Sequence, residues 1–342
     1  MSETRLSIND IAKHLHVAKS TISCIINGKA AERRISKDLE KRVLDYVNKI
    51  GFKPHHLAQN LATGKSKSIG LIVENIADSF FGPIALMIEE KAMKSGYRII
   101  YSSTRGETET AASILKFFME SHVDGFIIAP PPHMEDKIGQ VIHEGIPVII
   151  FDRILNGIDT DYVGTNNQEI SFDACTHLVE QGFKKIAIIT LDSEQSQMLE
   201  RLEGYKSCMR HFKQQSIIFK VPYQEIQYMR KNRIMKFFQE NPQIDATFFA
   251  TNYLCISGLE ALRELGKSIP ETMGVMVFDE NDLFRLYHPP ITSIVQPLEL
   301  LSAAIIDNLL QKISLKKPIL NNQRIIIPSS LIIRQSTIRE KN

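Results

Sequence analysis

The 342-residue chain has only four cysteines, Cys24, Cys175, Cys208 and Cys255, and they lie far apart. There is no CxxC pair and no Cys/His cluster. The sequence therefore offers neither a disulfide framework nor a zinc site, and reduced thiols are expected. Long apolar runs are also missing. Nothing approaches the ~18 residues that a membrane span needs. The first residues, MSETRLSINDIAKHL, carry charges and no apolar stretch of the kind that directs export. A cytoplasmic protein without membrane contact is expected. Phosphate loops are absent as well. No G-x-G-x-x-G follows the first predicted strand, and TGKSKS (63–68) precedes its strand, the wrong order for a nucleotide loop. The carboxylates show no spacing that nominates an acid/base pair. These absences weigh against an enzyme and predict no catalytic residue, no metal and no cofactor.

What is present is an ordinary soluble composition, 43% hydrophobic and 23% charged, over a length that suggests two or three domains. The net charge of +2 hides an asymmetry: residues 1–67 carry +7 and the remainder −5. Such segregation points to a polyanion-binding first segment, the alternative being a solvated basic surface.

That first segment reads as helical throughout. Ser7 and Asp10 stand three apart, a capping-box pattern, before Ile8, Ile11, Ala12 and Leu15 at helical spacing. A break at His16 and Val17 separates this helix from a second, from about Ala18 to Ile26, with Ile22, Ile25 and Ile26 inward. NGK ends it. Ser36 opens a third helix, with Leu39, Val43, Val47 and Ile50 inward, stopped by Gly51 and Pro54. Three helices with a short turn between the first two predict a helix-turn-helix. Its second helix would enter the DNA major groove while lysines and arginines meet phosphates. HHLAQNLATGKSKS follows. Its only large apolar residues are Leu57 and Leu61, too few to stabilise a helix alone.

From Ile69 the rhythm changes. IGLIV (69–73), RIIYSS (98–103), DGFIIAP (124–130), PVIIF (147–151), KIAIIT (185–190), DATFFAT (245–251) and GVMVFD (274–279) alternate with helical patterns. Strands lacking polar alternation are buried on both faces, which predicts parallel sheets covered by helices. The fold class is thus α/β, an all-α headpiece followed by two doubly wound sheets with a cleft between them. Several polar residues stand at the strand ends, where such sheets bind ligands: Asp78, Phe80 and Phe81 after the first strand; Asp152 and Arg153; Thr251, Asn252 and Tyr253; Asp279 and Glu280.

LSINDIAKHLHVAKSTISCIINGK, GFKPHHLAQNLATGKSKSIGLIV, VDGFIIAPP, IIFDR, RLEGY, PPITSI and LIIRQST occur in the order of the lactose-repressor (LacI/GalR) family of bacterial transcription regulators, which the chain resembles over nearly its whole length. The resemblance implies a headpiece (1–54), a hinge helix and linker (55–67) and a core (68–342) like the periplasmic sugar-binding proteins. The core would consist of an N-subdomain, about 68–166 plus 297–324, and a C-subdomain, about 167–296 plus 325–342. It implies DNA contacts from Ser7, Lys19, Ser20, Thr21, Ser23, Cys24, Asn27, His55, Gln59, Asn60 and Leu61; Arg33 and Arg34, in a loop longer than the family's, are expected to add phosphate contacts, the alternative being two solvated loop arginines. Leu61 would wedge between base pairs; the alternative is that Leu57 and Leu61 pack on the core. It implies that Arg201 contacts the effector, and with the strand-end residues Asp78, Phe80, Phe81, Asp152, Arg153, Asn252, Tyr253 and Asp279 it makes the expected effector site, the alternatives being that Arg153 only forms a salt bridge and that Phe81 is core.

The chain also departs from the family pattern. His16 stands where a glycine is usual, Ala18 where a serine caps the recognition helix, and Cys24 where an arginine is common. AAERRI makes the following loop about three residues longer, and Thr251-Asn252 replaces the usual Asn-Asp. The expected function is ligand-controlled repression at a palindromic operator by a homodimer, the chain end RQSTIREKN lacking a heptad helix for higher assembly. The expected effector is a small molecule, a sugar or sugar derivative. The competing readings are a periplasmic-type binding protein and an enzyme on a doubly wound fold.

Overall fold

The computed structural model describes residues 7–52, 65–315 and 322–339. The chain divides after Lys67 into two compact units.

In the first unit, α1 (Ile8–Leu15), α2 (Lys19–Ile26) and α3 (Lys37–Lys49) surround a small core. Ile11, Ala12, Ile22, Ile25, Val43 and Val47 are buried together, and Ile8, Leu15, Ile26, Leu39 and Ile50 pack against them, the face that helical spacing predicts. Ser7 caps α1 through a capping box with Asp10, and Ser36 caps α3 by accepting from the Leu39 amide. His16 takes the left-handed conformation that ends α1, at φ 53°. Ala18 at the start of α2 supplies no side-chain cap.

The second unit contains two six-stranded sheets. The first runs β11 (Arg324–Ile327), β5 (Asp161–Thr165), β4 (Val148–Phe151), β3 (Gly125–Ile128), β1 (Ser68–Val73), β2 (Arg98–Ser103), with every neighbouring pair parallel. The second runs β12 (Ser330–Ile332), β10 (Thr292–Val295), β9 (Gly274–Phe278), β8 (Ala246–Phe249), β6 (Ile186–Asp192), β7 (Ile217–Pro222). It is parallel except for the β10–β12 pair. Helices α4 (Phe81–Lys94), α5 (Thr108–Glu120) and α6 (Glu135–His143) cover the first sheet, joined by α12 (Leu298–Ser314). Around the second sheet lie α7 (Asn167–Glu180), α8 (Ser196–His211), α9 (Gln227–Glu240), α10 (Asn252–Glu264) and the short α11 (Asp282–Leu286). Because β1, β3, β4, β6, β8 and β9 are sandwiched between helix layers, their residues are buried almost without alternation.

The chain passes between the sheets three times: after β5, after β10 and after β11. The last crossing follows Ile327 rather than falling at 324/325. Ile325, Ile326 and Ile327 pair with Val163, Gly164 and Thr165, which keeps them in the first sheet. The crossing segments are tied to each other. Thr165 donates to Gln296 at 3.2 Å, and the Ser329 amide donates to the Asn166 side chain at 2.9 Å.

Candidate functional site

In the helical unit, the two faces of α2 separate as its sequence requires. Ile22 and Ile25 are buried, Lys19 and Ser20 are exposed, and Thr21, Ser23, Cys24 and Asn27 are half-buried. Ser7 is engaged locally: its hydroxyl donates to Asp10 at 2.6 Å. The loop after α2 is more than an excursion into solvent. Ala30 is buried in the helical core, and the Ile35 amide donates back to the Ala30 carbonyl at 2.9 Å. This closed turn, with Arg34 at φ 53°, leaves Arg33 and Arg34 exposed. Nothing in the composition of AAERRI marks Ala30 as an anchor, and sequence reasoning passed over it. Arg42 of α3 donates to the Leu15 carbonyl at 2.8 Å, so this arginine is partly spent on holding α1. The hinge candidates His55, Gln59, Asn60 and Leu61 lie outside the described residues.

In the second unit, Asp78, Phe80, Phe81, Asp152, Arg153, Arg201, Asn252, Tyr253 and Asp279 all line one narrow cavity between the sheets. Topology explains the convergence, because the carboxyl ends of parallel strands from both sheets face it. β4 and β9 reach it in the same way. Each ends in a buried phenylalanine followed by an aspartate in the left-handed region, Asp152 at φ 64° and Asp279 at φ 75°. Each aspartate amide donates at 3.1 Å to the next strand, to Val163 and Ile294 respectively. A non-glycine residue persists in that conformation only where its surroundings over-determine it, and such places cluster at ligand sites.

Arg201, projecting from α8, is clamped. Its Nε donates to Asn167 at 2.9 Å, and its Nη1 donates to the Ala250 carbonyl at 2.8 Å and to Asp279 at 3.3 Å. Its guanidinium lies 3.5 Å from the centroid of the Phe278 ring. Gln296 donates to the other Asp279 oxygen at 2.6 Å. The chain Arg201–Asp279–Gln296–Thr165 therefore links the cavity to two of the crossing segments. Arg153 pairs with Glu74 and, at 3.3 Å, with Asp152. Further bonds span the cleft: Asn252 donates to Ser79 at 2.8 Å, and the Ile154 amide donates to Ser196 at 2.8 Å.

Burial pushes the Asp152 carboxyl up to about 6, with Arg153 and Arg201 opposing and Asp279 and Glu74 adding. Burial also raises Asp78, reinforced by Asp279 and Glu74 against the Phe80 amide that it accepts. Burial would depress Arg153, but attraction to Glu74 and Asp152 outweighs it and holds the guanidinium charged.

Several wall residues escaped sequence reasoning: Glu74, Leu191, Gln195, Gln197, Met198 and Gln296. Glu74 directly follows β1 and the end-of-strand argument could have found it. Gln296 sits on a crossing segment whose role no local pattern reveals. Glu280 does not join the cavity wall; it binds Arg334 at 2.7 Å and Ser293 at 2.5 Å instead. Thr251 serves as the N-cap of α10, which leaves Asn252 to reach across the cleft.

Residues 175–337 match the family model of the periplasmic binding protein-like domain. The chain is 28% identical over 333 residues to a ribose operon repressor of Halalkalibacterium halodurans, covering 97% of each. It is 28% identical over 336 residues to an HTH-type transcriptional repressor PurR of Haemophilus influenzae, covering 96% of this chain and 98% of that one. A crystal structure of a periplasmic binding protein/LacI transcriptional regulator from Alkaliphilus metalliredigens, in complex with D-xylulofuranose, superimposes with a TM-score of 0.72 at 26% identity. It covers 80% of this chain and is itself covered in full. The lac repressor dimer bound to operator and the anti-inducer ONPF shares the fold with a TM-score of 0.83 at 20% identity, over 98% of this chain and 100% of that one.

Proposed function

We propose that this chain, which belongs to the lactose-repressor family of bacterial transcription regulators, represses transcription at a palindromic operator as a homodimer. It is not an enzyme. Its operator affinity is set by a small molecule held in the cleft of the core. One observation carries the reading: a basic three-helix unit and a polar cavity walled from two sheets occur in the same chain. No described helix is long and apolar enough to cross a membrane, and we place the protein in the cytoplasm beside its DNA.

On the DNA side, α2 enters the major groove. Lys19 and Ser20 lead it, Thr21, Ser23, Cys24 and Asn27 follow, and Arg33 and Arg34 reach phosphates from the loop. Residues 55–61 continue into the minor groove, with Leu61 as the wedge. On the ligand side, hydroxyl groups donate to Asp152 and Asp279 and accept from Arg153 and Arg201, while Phe80 and Phe81 cover an apolar ring face. The sugar-bound Alkaliphilus protein supports this choice of ligand. A ligand touching both sheets prefers the closed cleft to the open one, and only that difference can move the equilibrium. The Asp279–Gln296–Thr165 chain carries the preference to the crossing segments.

The experiment is a mobility shift of the full chain on fragmented genomic DNA, with and without the small molecule that co-purifies, identified by mass spectrometry. Retention of selected fragments and a response to the ligand are expected. Failure to retain DNA under either condition overturns the reading.

A further inference from the structure

The cleft is not one chamber. Beside the inner cavity lies a second, larger and more open one, and the two share Glu74, Asp78, Asn252 and Tyr253 on their common wall. Their electrostatics differ. The inner walls carry the carboxylates Glu74, Asp78, Asp152 and Asp279 against two guanidiniums. Both guanidiniums are already paired, Arg153 with Glu74 and Asp152, Arg201 with Asp279. An anionic group placed there would meet a surplus of negative charge without a free cation.

The outer chamber keeps Glu74 and Asp78 on the shared wall and adds two cations of its own. Arg105 and Arg230 line it, and among the described residues neither forms an ion pair. The nearby carboxylate of Glu225 is engaged by Arg233 at 2.8 Å. Arg230 is held in place without being neutralised. It donates to the Glu225 carbonyl at 2.7 Å, and its guanidinium lies 4.8 Å from the centroid of the Tyr253 ring. Burial lowers its pKa, as expected of a cation removed from water without full compensation. The Tyr223 hydroxyl lies on the same wall; burial and the neighbouring Glu74 carboxylate raise its pKa and keep it protonated. Two guanidiniums without an ion-pair partner among the described residues make a site for an anion.

We infer that the cleft takes a two-part effector, a hydroxyl-rich ring in the inner chamber joined to an anionic substituent, phosphate or carboxylate, that Arg105 and Arg230 meet in the outer one. This rests on the reading of the cleft as an effector site and names the class of molecule that fills it. A sugar phosphate or a sugar acid has the required division. The ring hydroxyls donate to the inner carboxylates, and the charge is kept outside them.

The test is calorimetry of the full chain with D-ribose and D-glucose, their terminal phosphates, D-glucuronate and inorganic phosphate. A sugar phosphate or the sugar acid should bind roughly tenfold or more tightly than its parent sugar, the range of a charged hydrogen bond. Comparing the phosphates with D-glucuronate identifies the anion. Arg105→Gln and Arg230→Gln should each bring the ratio of charged to uncharged affinity toward one. Arg105 is exposed, so its variant serves should loss of the anchored Arg230 unfold the protein. Parent sugars binding as tightly as their charged forms would overturn the inference, and so would no binding by any compound of the set. Inorganic phosphate matching the sugar phosphates would reduce the chamber to an adventitious ion only and overturn it as well. Mobility shift on the same preparation separates the two failures. Retained DNA without anion preference sinks this inference alone, whereas lost DNA binding sinks the regulator reading.

Discussion

Replacing Asp152 with asparagine isolates the cost of a buried carboxylate at the centre of the cleft. Asparagine keeps the side-chain length and tolerates the left-handed backbone found at φ 64°. The carboxyl titrates at about 6 in the folded chain, against an ordinary value of 3.8. Its folded-state pKa is raised, so between those values the native protein holds a proton that the unfolded chain has released. Stability must then fall as pH rises through this window. At ~1.4 kcal/mol per pKa unit, the full swing is about 3 kcal/mol, of which about 2 kcal/mol lies between pH 4.5 and 7.5. Urea unfolding of wild type and Asp152→Asn, followed by circular dichroism at several pH values, measures it. The variant should gain about 2 kcal/mol on wild type from the acidic to the alkaline end of that range. Two parallel stability curves would refute the reasoning, because they would mean that Asp152 is ionised throughout and its burial is compensated.

Arg201→Ala should destabilise the core by about 3–5 kcal/mol in urea unfolding, since it leaves Asp279 buried without its cation; a loss below 1 kcal/mol would show that the clamp is energetically idle. Ala18→Ser should raise headpiece stability by about 0.5–2 kcal/mol in thermal unfolding, because α2 lacks a side-chain cap. Operator affinity should fall with salt at a log–log slope near −0.9 per phosphate contacted. Arg33→Ala and Arg34→Ala should lower that slope and weaken all sequences evenly, whereas Lys19→Ala should alter sequence preference. Gly106→Val should weaken binding of the co-purified ligand, measured by calorimetry, because Gly106 sits at φ +75° and a Cβ there would meet the Tyr223 ring at 2.3 Å across the cleft.

Much of the helical unit was legible in the sequence because its determinants are local. Caps, helical spacing and the glycine stop at Gly51 lie within a few residues of what they control, and Ser7, Ser36, Ile22 and Val43 take the expected places. The buried strands were equally readable, since two helix layers demand unbroken apolar runs. The strands that escaped were β5, β7, β10, β11 and β12. β7 alternates because it is an edge strand with one face in water. β5 reads DYVGT and earns its burial from neighbours rather than from its own hydrophobicity.

For the candidate site, sequence alone determined which residue types stand at strand ends, because an α/β chain delivers its polar residues there whatever the ligand. It could not show that Arg201 already spends its guanidinium on Asn167, Ala250, Asp279 and the Phe278 ring, partners 34, 49 and 78 residues away for the first three. Nor could it show that Gln296 and Thr165, unremarkable in their own segments, tie the cavity to the crossings between the sheets. It gave no sign that the cleft holds a carboxylate-rich chamber beside a second one that adds Arg105 and Arg230. Those features depend on distances between segments far apart in the chain. Only the pairing of strands and the three crossings bring such segments within hydrogen-bonding reach, and charge balance in a cavity exists only once its walls have met.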